Sequence, residues 1–187
     1  MINWRKKRSV MRRYDLTFQI YDARYSEEQE AKYKVALEGL GLGKGSVALD
    51  VGCGSGLFFN QVAGKIEMVI GIDLSLNMLL IARERAKNFP GVFLVQADAD
   101  HLPLRRDVFS HVFAFTMLQN MPKPQKTLQE LKLVSKRDAC FFVSGLKAVI
   151  SLDAFVNYFE EAELQVVSVQ NDDLLRCFIV KATNRET

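Results

Sequence analysis

The chain has 187 residues, 49% of them apolar and 25% charged, with a formal net charge of +3. That length suits one domain with a real core, and no apolar run approaches the ~20 residues that cross a bilayer. Three cysteines, Cys53, Cys140 and Cys177, are too scattered for a disulfide framework or a metal cluster, so a reducing, cytoplasmic setting and no metal are expected.

Six cations, Arg5, Lys6, Lys7, Arg8, Arg12 and Arg13, precede the first acidic residue, Asp15. Without them the rest of the chain is mildly acidic, so the positive charge forms an N-terminal arm with Trp4 embedded in it. No apolar stretch with a small-residue cleavage site follows, which argues against a secretory leader. Basic arms hold nucleic-acid phosphates, and Trp4 or a tyrosine can stack on an exposed base; a solvated terminus is the plainer alternative. Residues 14–40 then carry helical signals, with Ala31, Val35 and Leu37 among charged residues before Gly39, Gly41 and Gly43. Residues 1–40 therefore read as a basic arm with a helical cap, and 41–187 as the domain body, within one structural domain.

Short continuous apolar runs follow at Val47–Val51, Met68–Asp73, Val92–Ala97, His111–Phe115 and Cys140–Val143. Runs without alternation suit strands buried on both faces of a parallel sheet. Between them, Ser75 can cap a helix through Lys87, Leu128, Leu131 and Val134 mark a second, and Ser151 can cap a third with Phe155 and Phe159 inward. Leu164–Val169 and Leu174–Ala182, separated by Gln170-Asn171-Asp172-Asp173, read as a hairpin. The expected fold is α/β: a Rossmann-like, doubly wound, seven-stranded sheet, mostly parallel, closed by a C-terminal antiparallel hairpin.

The first strand runs into Asp50-Val51-Gly52-Cys53-Gly54-Ser55-Gly56. Glycines there permit positive φ and let the backbone approach a ligand. A dinucleotide fingerprint would need glycine at Leu57, and the Asp50 carboxylate would repel a pyrophosphate but suits a cationic ligand. Gly43-Lys44-Gly45-Ser46 precedes the strand and lacks the hydroxyl residue of a phosphate loop after its lysine.

This loop resembles motif I of class I S-adenosylmethionine (SAM)-dependent methyltransferases. The resemblance continues in register through Asp73, through Gln96-Ala97-Asp98-Ala99-Asp100, and through Thr116-Met117-Leu118-Gln119-Asn120-Met121-Pro122. The last segment is similar to the post-strand-four run of quinone-type methyltransferases, and Tyr14-Asp15 and Tyr21-Asp22 resemble the helix those enzymes fold over the cofactor. The resemblance implies SAM as cofactor. It also implies that Tyr21, Asp50, Gly52, Cys53, Gly54, Gly56, Asp73, Leu74, Asp98, Ala99 and Thr116 bind it, Asp73 taking the ribose hydroxyls and Asp98 the adenine amino group. Read structurally instead, Cys53 is a packing residue, His101 and His111 are framework or solvent-facing, and Asp73 caps a helix.

Methyl transfer is an in-line displacement that asks mainly for positioning and exclusion of water. No strong base stands out, which suits an exocyclic amine held by acceptors. Thr116, Gln119 and Asn120 are the catalytic candidates; a loop-shaping role for the two amides is the alternative. The arm residues Trp4, Arg5, Lys6, Lys7, Arg8, Arg12 and Arg13 are candidates for RNA binding, and the chain resembles compact archaeal RNA methyltransferases. The expected substrate is therefore a base in structured RNA, with rRNA (cytidine N4) preferred to tRNA and no membrane partner. A small-molecule, quinone-type methyltransferase is the first alternative, and a non-catalytic SAM-binding subunit the second. The oligomeric state stays open.

Overall fold

The computed structural model describes residues 2–184, with side chains from residue 4. Five of the seven strands grow from the apolar runs: β1 Val47–Val51, β2 Met68–Asp73, β3 Val92–Gln96, β4 Phe109–Ala114 and β5 Ser135–Leu146. β6 Leu164–Gln170 and β7 Cys177–Asn184 complete a sheet of order β3-β2-β1-β4-β5-β7-β6. β1 to β5 pair in parallel, and β7 inserts antiparallel between β5 and β6.

Apolar side chains leave both faces of this sheet, which is why the runs do not alternate. Leu49, Val112, Ala114 and Phe141 pack on one side with Leu128, Leu131, Phe155 and Phe159. These last four come from helices α5 (Pro124–Val134) and α6 (Leu152–Glu161). Ala48, Phe113 and Phe142 pack on the other with Tyr33, Phe58, Phe59 and Leu79, drawn largely from α2 (Tyr21–Leu37), α3 (Phe59–Val62) and α4 (Leu76–Ala86). Ser75 caps α4 by accepting Met78 N–H at 3.2 Å, and Ser151 caps α6 by accepting Ala154 N–H at 3.3 Å.

The N-terminus departs from expectation. The arm is itself a helix, α1 (Ile2–Thr17), joined to α2 by a 3-10 turn at Phe18–Ile20. Its inner stripe of Lys7, Val10, Met11 and Tyr14 has helical spacing, but a lysine within it masks the periodicity. β7 starts at Cys177 and not at Leu174, because Leu174 is 91% exposed and sits in a turn held by Asp172 Oδ1. None of the described helices is long and apolar enough to cross a membrane.

Candidate functional site

Strand order reverses at β1, which pairs with β2 on one side and β4 on the other. In such sheets ligands sit at the carboxyl ends of the strands flanking that point. The loop leaving β1 turns through Gly52, Gly54 and Gly56 at φ of 71°, 56° and 78°, a region side-chain-bearing residues avoid. A Cβ on Gly52 would also stand 2.9 Å from the Met117 Cβ. Asp73 braces the loop: its Oδ2 accepts Gly54 N–H at 2.9 Å and its Oδ1 accepts Ser75 N–H at 2.8 Å. Burial raises the Asp73 pKa, and those backbone donors partly counter it. Asp50 is 3% exposed, and its Oδ2 has no partner among the described residues. Burial first, then the Asp73 charge, push its pKa up to about 8. A glycine cradle beside an unpartnered buried carboxylate fits a compact ligand bearing a cation, as SAM does. Burial also raises the Cys53 thiol, which makes it a packing group and not a nucleophile.

Helices α1 and α2 close over this cradle. Lys7, 6% exposed, donates to both Asp98 oxygens at 2.6 and 2.8 Å and pairs with Asp100 at 2.5 Å. Lys6 Nζ donates to Met121 O at 2.8 Å, and Arg13 Nη2 to Asn120 Oδ1 at 3.2 Å. Ser75 Oγ donates to Asp15 at 2.5 Å; Asp22 accepts from Ser55 and pairs with Arg85 at 2.6 Å. The pocket left beneath has a volume of about 100 Å³.

Of the sequence-predicted cofactor residues, Tyr21, Gly52, Gly54, Asp73, Leu74, Asp98, Ala99 and Thr116 line that pocket. Asp50 and Cys53 are buried, and Gly56 is pressed against the Phe59 ring; none of the three is in its wall. The arm candidates divide. Lys6, Lys7 and Arg13 turn to partners inside the chain, whereas Trp4 (46% exposed), Arg5, Arg8 and Arg12 face outward.

The catalytic candidates converge on one strained turn. Thr116 has φ of 58°, an outlier for a β-branched residue and of the kind that gathers at functional sites. Its N–H donates to Ser144 Oγ at 2.8 Å, and its Oγ1 accepts Lys32 Nζ at 2.9 Å. Gln119 Nε2 and Asn120 Nδ2 both donate to its carbonyl, at 2.7 and 3.3 Å. The Asn120 oxygen faces Arg13, while Gln119 Oε1 is buried without a partner among the described residues.

A second cavity of about 900 Å³ adjoins the first, and the two share Tyr14, Tyr21, Thr116 and Asn120 as walls. In its wall lies Lys32, 1% exposed and paired with Glu28 at 2.8 Å. In the sequence Lys32 is one of the charged residues interleaved with Ala31, Val35 and Leu37. The usable signal was its place in the buried stripe Gln29, Lys32, Tyr33 and Ala36, which has the i, i+3, i+4, i+7 spacing of an inner face.

Residues 49–143 match the family described as methyltransferase domain. Demethylmenaquinone methyltransferases of Staphylococcus carnosus and Staphylococcus aureus are 34% identical over 113 residues, 59% of this chain and 47% of theirs. The chain thus spans about half the length of the curated relatives it matches. A SAM-dependent methyltransferase from Aquifex aeolicus superposes with a TM-score of 0.74 at 24% identity, covering 82% of this chain and 89% of its own. The [4+2]-cyclase SpnF superposes with a TM-score of 0.85 at 16% identity, covering 97% of each. These structures share the fold, and the cyclase shows that the fold alone does not choose the reaction.

Proposed function

We propose, from the premise that the chain belongs to the methyltransferase domain family, that it methylates a small organic acceptor seated in the cavity beside Thr116. SAM is the cofactor that membership implies. When bound it would supply an activated methyl, which the acceptor's lone pair would take as the C–S bond broke and its electron pair passed to sulfur. The residues around the glycine loop suit its parts. Asp73 would hold the ribose hydroxyls and Asp98 the adenine amino group, with the Asp50 carboxyl behind the glycine loop, where a bound cation would favour its ionised form. α1 and α2 keep water out, and the Thr116 turn orients the acceptor's face of the site.

One observation carries the reading: the two compartments share walls at Tyr14, Tyr21, Thr116 and Asn120, beneath a lid made of the chain itself. A cleft of that kind, whose shared walls lie beside the cofactor pocket, favours a ligand small enough to enter it. The curated relatives, named for a quinone precursor, point the same way. Protein incubated with methyl-labelled SAM should label members of a panel of hydroquinones and phenols. Label found only in the nucleosides of added total RNA would overturn the reading.

A second reading, methylation of an RNA base, draws support from the outward face of α1, where Trp4, Arg5, Arg8 and Arg12 are exposed together. Such a face can follow phosphates and stack on a base. It does not use the cavity beside Thr116, which is why it stands second.

A further inference from the structure

We infer that the acceptor is recognised as an anion, through the buried ammonium of Lys32. The inference rests on the small-acceptor reading and names its substrate class: an aromatic or enolic acid bound in ionised form.

The cavity beside Thr116 is lined by Arg13, Arg24, Lys32, Lys147 and Arg176, with Glu28 the only acid in its wall among the described residues. Four of these cations ring a cavity open to water and can be solvated. Lys32 is not, since it is 1% exposed. An ammonium taken out of water costs several kcal/mol unless its hydrogen bonds and charge are met. Among the described residues, Glu28 and Thr116 Oγ1 meet two of its three donor positions. Glu28 also faces Arg176 at 4.0 Å, so one carboxylate stands against two cations. The charge balance at the inner wall remains positive, and an anionic oxygen from the cavity side would complete it.

Position matters as much as charge. Lys32 Nζ lies 2.9 Å from Thr116 Oγ1, and Thr116 belongs to both compartments. An oxygen held by Lys32 therefore sits where the cavity meets the cofactor pocket. The adjoining wall is aromatic: Tyr14 and Tyr21 rings are 5.9 Å apart, and Tyr21 and Tyr25 are 5.0 Å apart, a surface for a flat ring. Burial holds the Tyr21 phenol well above its ordinary pKa, so it stays neutral and does not oppose an anion. An enolic acceptor that arrives ionised also brings its own nucleophilic electron pair and needs no base.

The test is calorimetric titration of the protein, with S-adenosylhomocysteine bound, against 2-naphthoate and its neutral isostere 2-naphthamide. Naphthoate should bind about tenfold tighter or better, the scale of one charge-assisted hydrogen bond. Lys32→Met should bring the two affinities to within about twofold, a residual below the tenfold worth of that bond, and Lys32→Arg should restore part of the gap. The double variant Glu28→Gln/Lys32→Met removes both charges without stranding either, and it should lose the preference equally while remaining folded by circular dichroism. Equal binding of acid and amide to the wild type, or a preference surviving in both Met variants, overturns the inference but leaves the small-acceptor reading standing. Failure of both probes to bind overturns both. Displacement of naphthoate by a single-stranded RNA oligonucleotide, dependent on Lys32, would assign the cavity to a nucleotide and overturn the small acid.

Discussion

The two compartments that meet at Thr116 are built on opposite principles. The cofactor pocket is shaped by backbone and carboxylates: three glycines at positive φ, with Asp73 and Asp98 in the wall and Asp50 behind it. Those residues come from strand ends and the loops that follow them, so each falls at a fixed place in the strand–helix alternation. The neighbouring cavity is shaped by cations reaching in from separated places: Arg13 on α1, Arg24 and Lys32 on α2, Lys147 after β5 and Arg176 before β7. Backbone recognition constrains which residues a loop can contain, and so it writes a motif. Side-chain recognition across elements constrains only which residues the topology brings together, and it writes none.

The largest effect that could break this contrast is at Asp73. Asp73→Ala removes charge-assisted acceptors for both ribose hydroxyls and unpins the Gly54 N–H, so SAM affinity should fall by about 100- to 1,000-fold; a calorimetric Kd near wild type would refute the backbone-and-carboxylate account. Asp50 comes next. Its pKa is raised on folding from the ordinary 3.8 to about 8, so the folded state binds the proton more tightly than the unfolded one. The stabilisation this gives is full below about pH 4 and is lost as pH rises toward 8. Asp50→Asn, neutral at every pH, should melt above the wild type near pH 8 by a difference on the order of 2–4 kcal/mol that vanishes near pH 4. It should nonetheless bind SAM more weakly, because the cation loses its counter-charge.

Gly52→Ala probes the cradle with a smaller change. It forces an L-residue to φ of 71° with its Cβ 2.9 Å from that of Met117, and a loss of about 1–3 kcal/mol by chemical denaturation is expected. The smallest effect is on the outer face of α1. Replacing Arg5, Arg8 and Arg12 together by Ala should move stability by no more than about 0.5 kcal/mol and leave transfer to a small acceptor unchanged. A large fall in RNA binding, with a shallower salt dependence and loss of transfer, would favour the RNA reading.

Much of the fold could be read from the chain because β1 and β4 are buried on both faces, and Ser75 and Ser151 mark where helices start. The candidate donor site was legible for the same reason: most of its residues follow strands that were themselves legible, and eight of them line one pocket. What escaped was governed by contacts between distant segments. The first residues of β5, Ser135 to Ala139, are largely polar; Ser135 Oγ donates back to Leu131 O at 2.6 Å, and Ser135 pairs with Phe109 of β4. Gln119 and Asn120 stood out as polar residues after β4, but their bonds to the Thr116 carbonyl depend on a backbone angle that sequence does not display. Lys32 was hidden by its neighbours' charges, and α1 by the lysine on its inner face.

That lysine has a kinetic consequence. Lys7 occupies the Asp98 carboxylate that the resemblance assigns to adenine, and its helix leaves only about 100 Å³ beneath it, where small-molecule sites enclose roughly 300–1,000 Å³. A cofactor seated as the resemblance implies would have to displace Lys7 from Asp98, so its binding would be an exchange of partners at that carboxylate. The apparent dissociation constant would then be the intrinsic one divided by the fraction of molecules with α1 withdrawn; an open fraction on the order of one per cent would weaken it by about a hundredfold. Association would then reach a ceiling set by helix opening, no matter how much cofactor is supplied, and release of the spent cofactor would wait on the same movement.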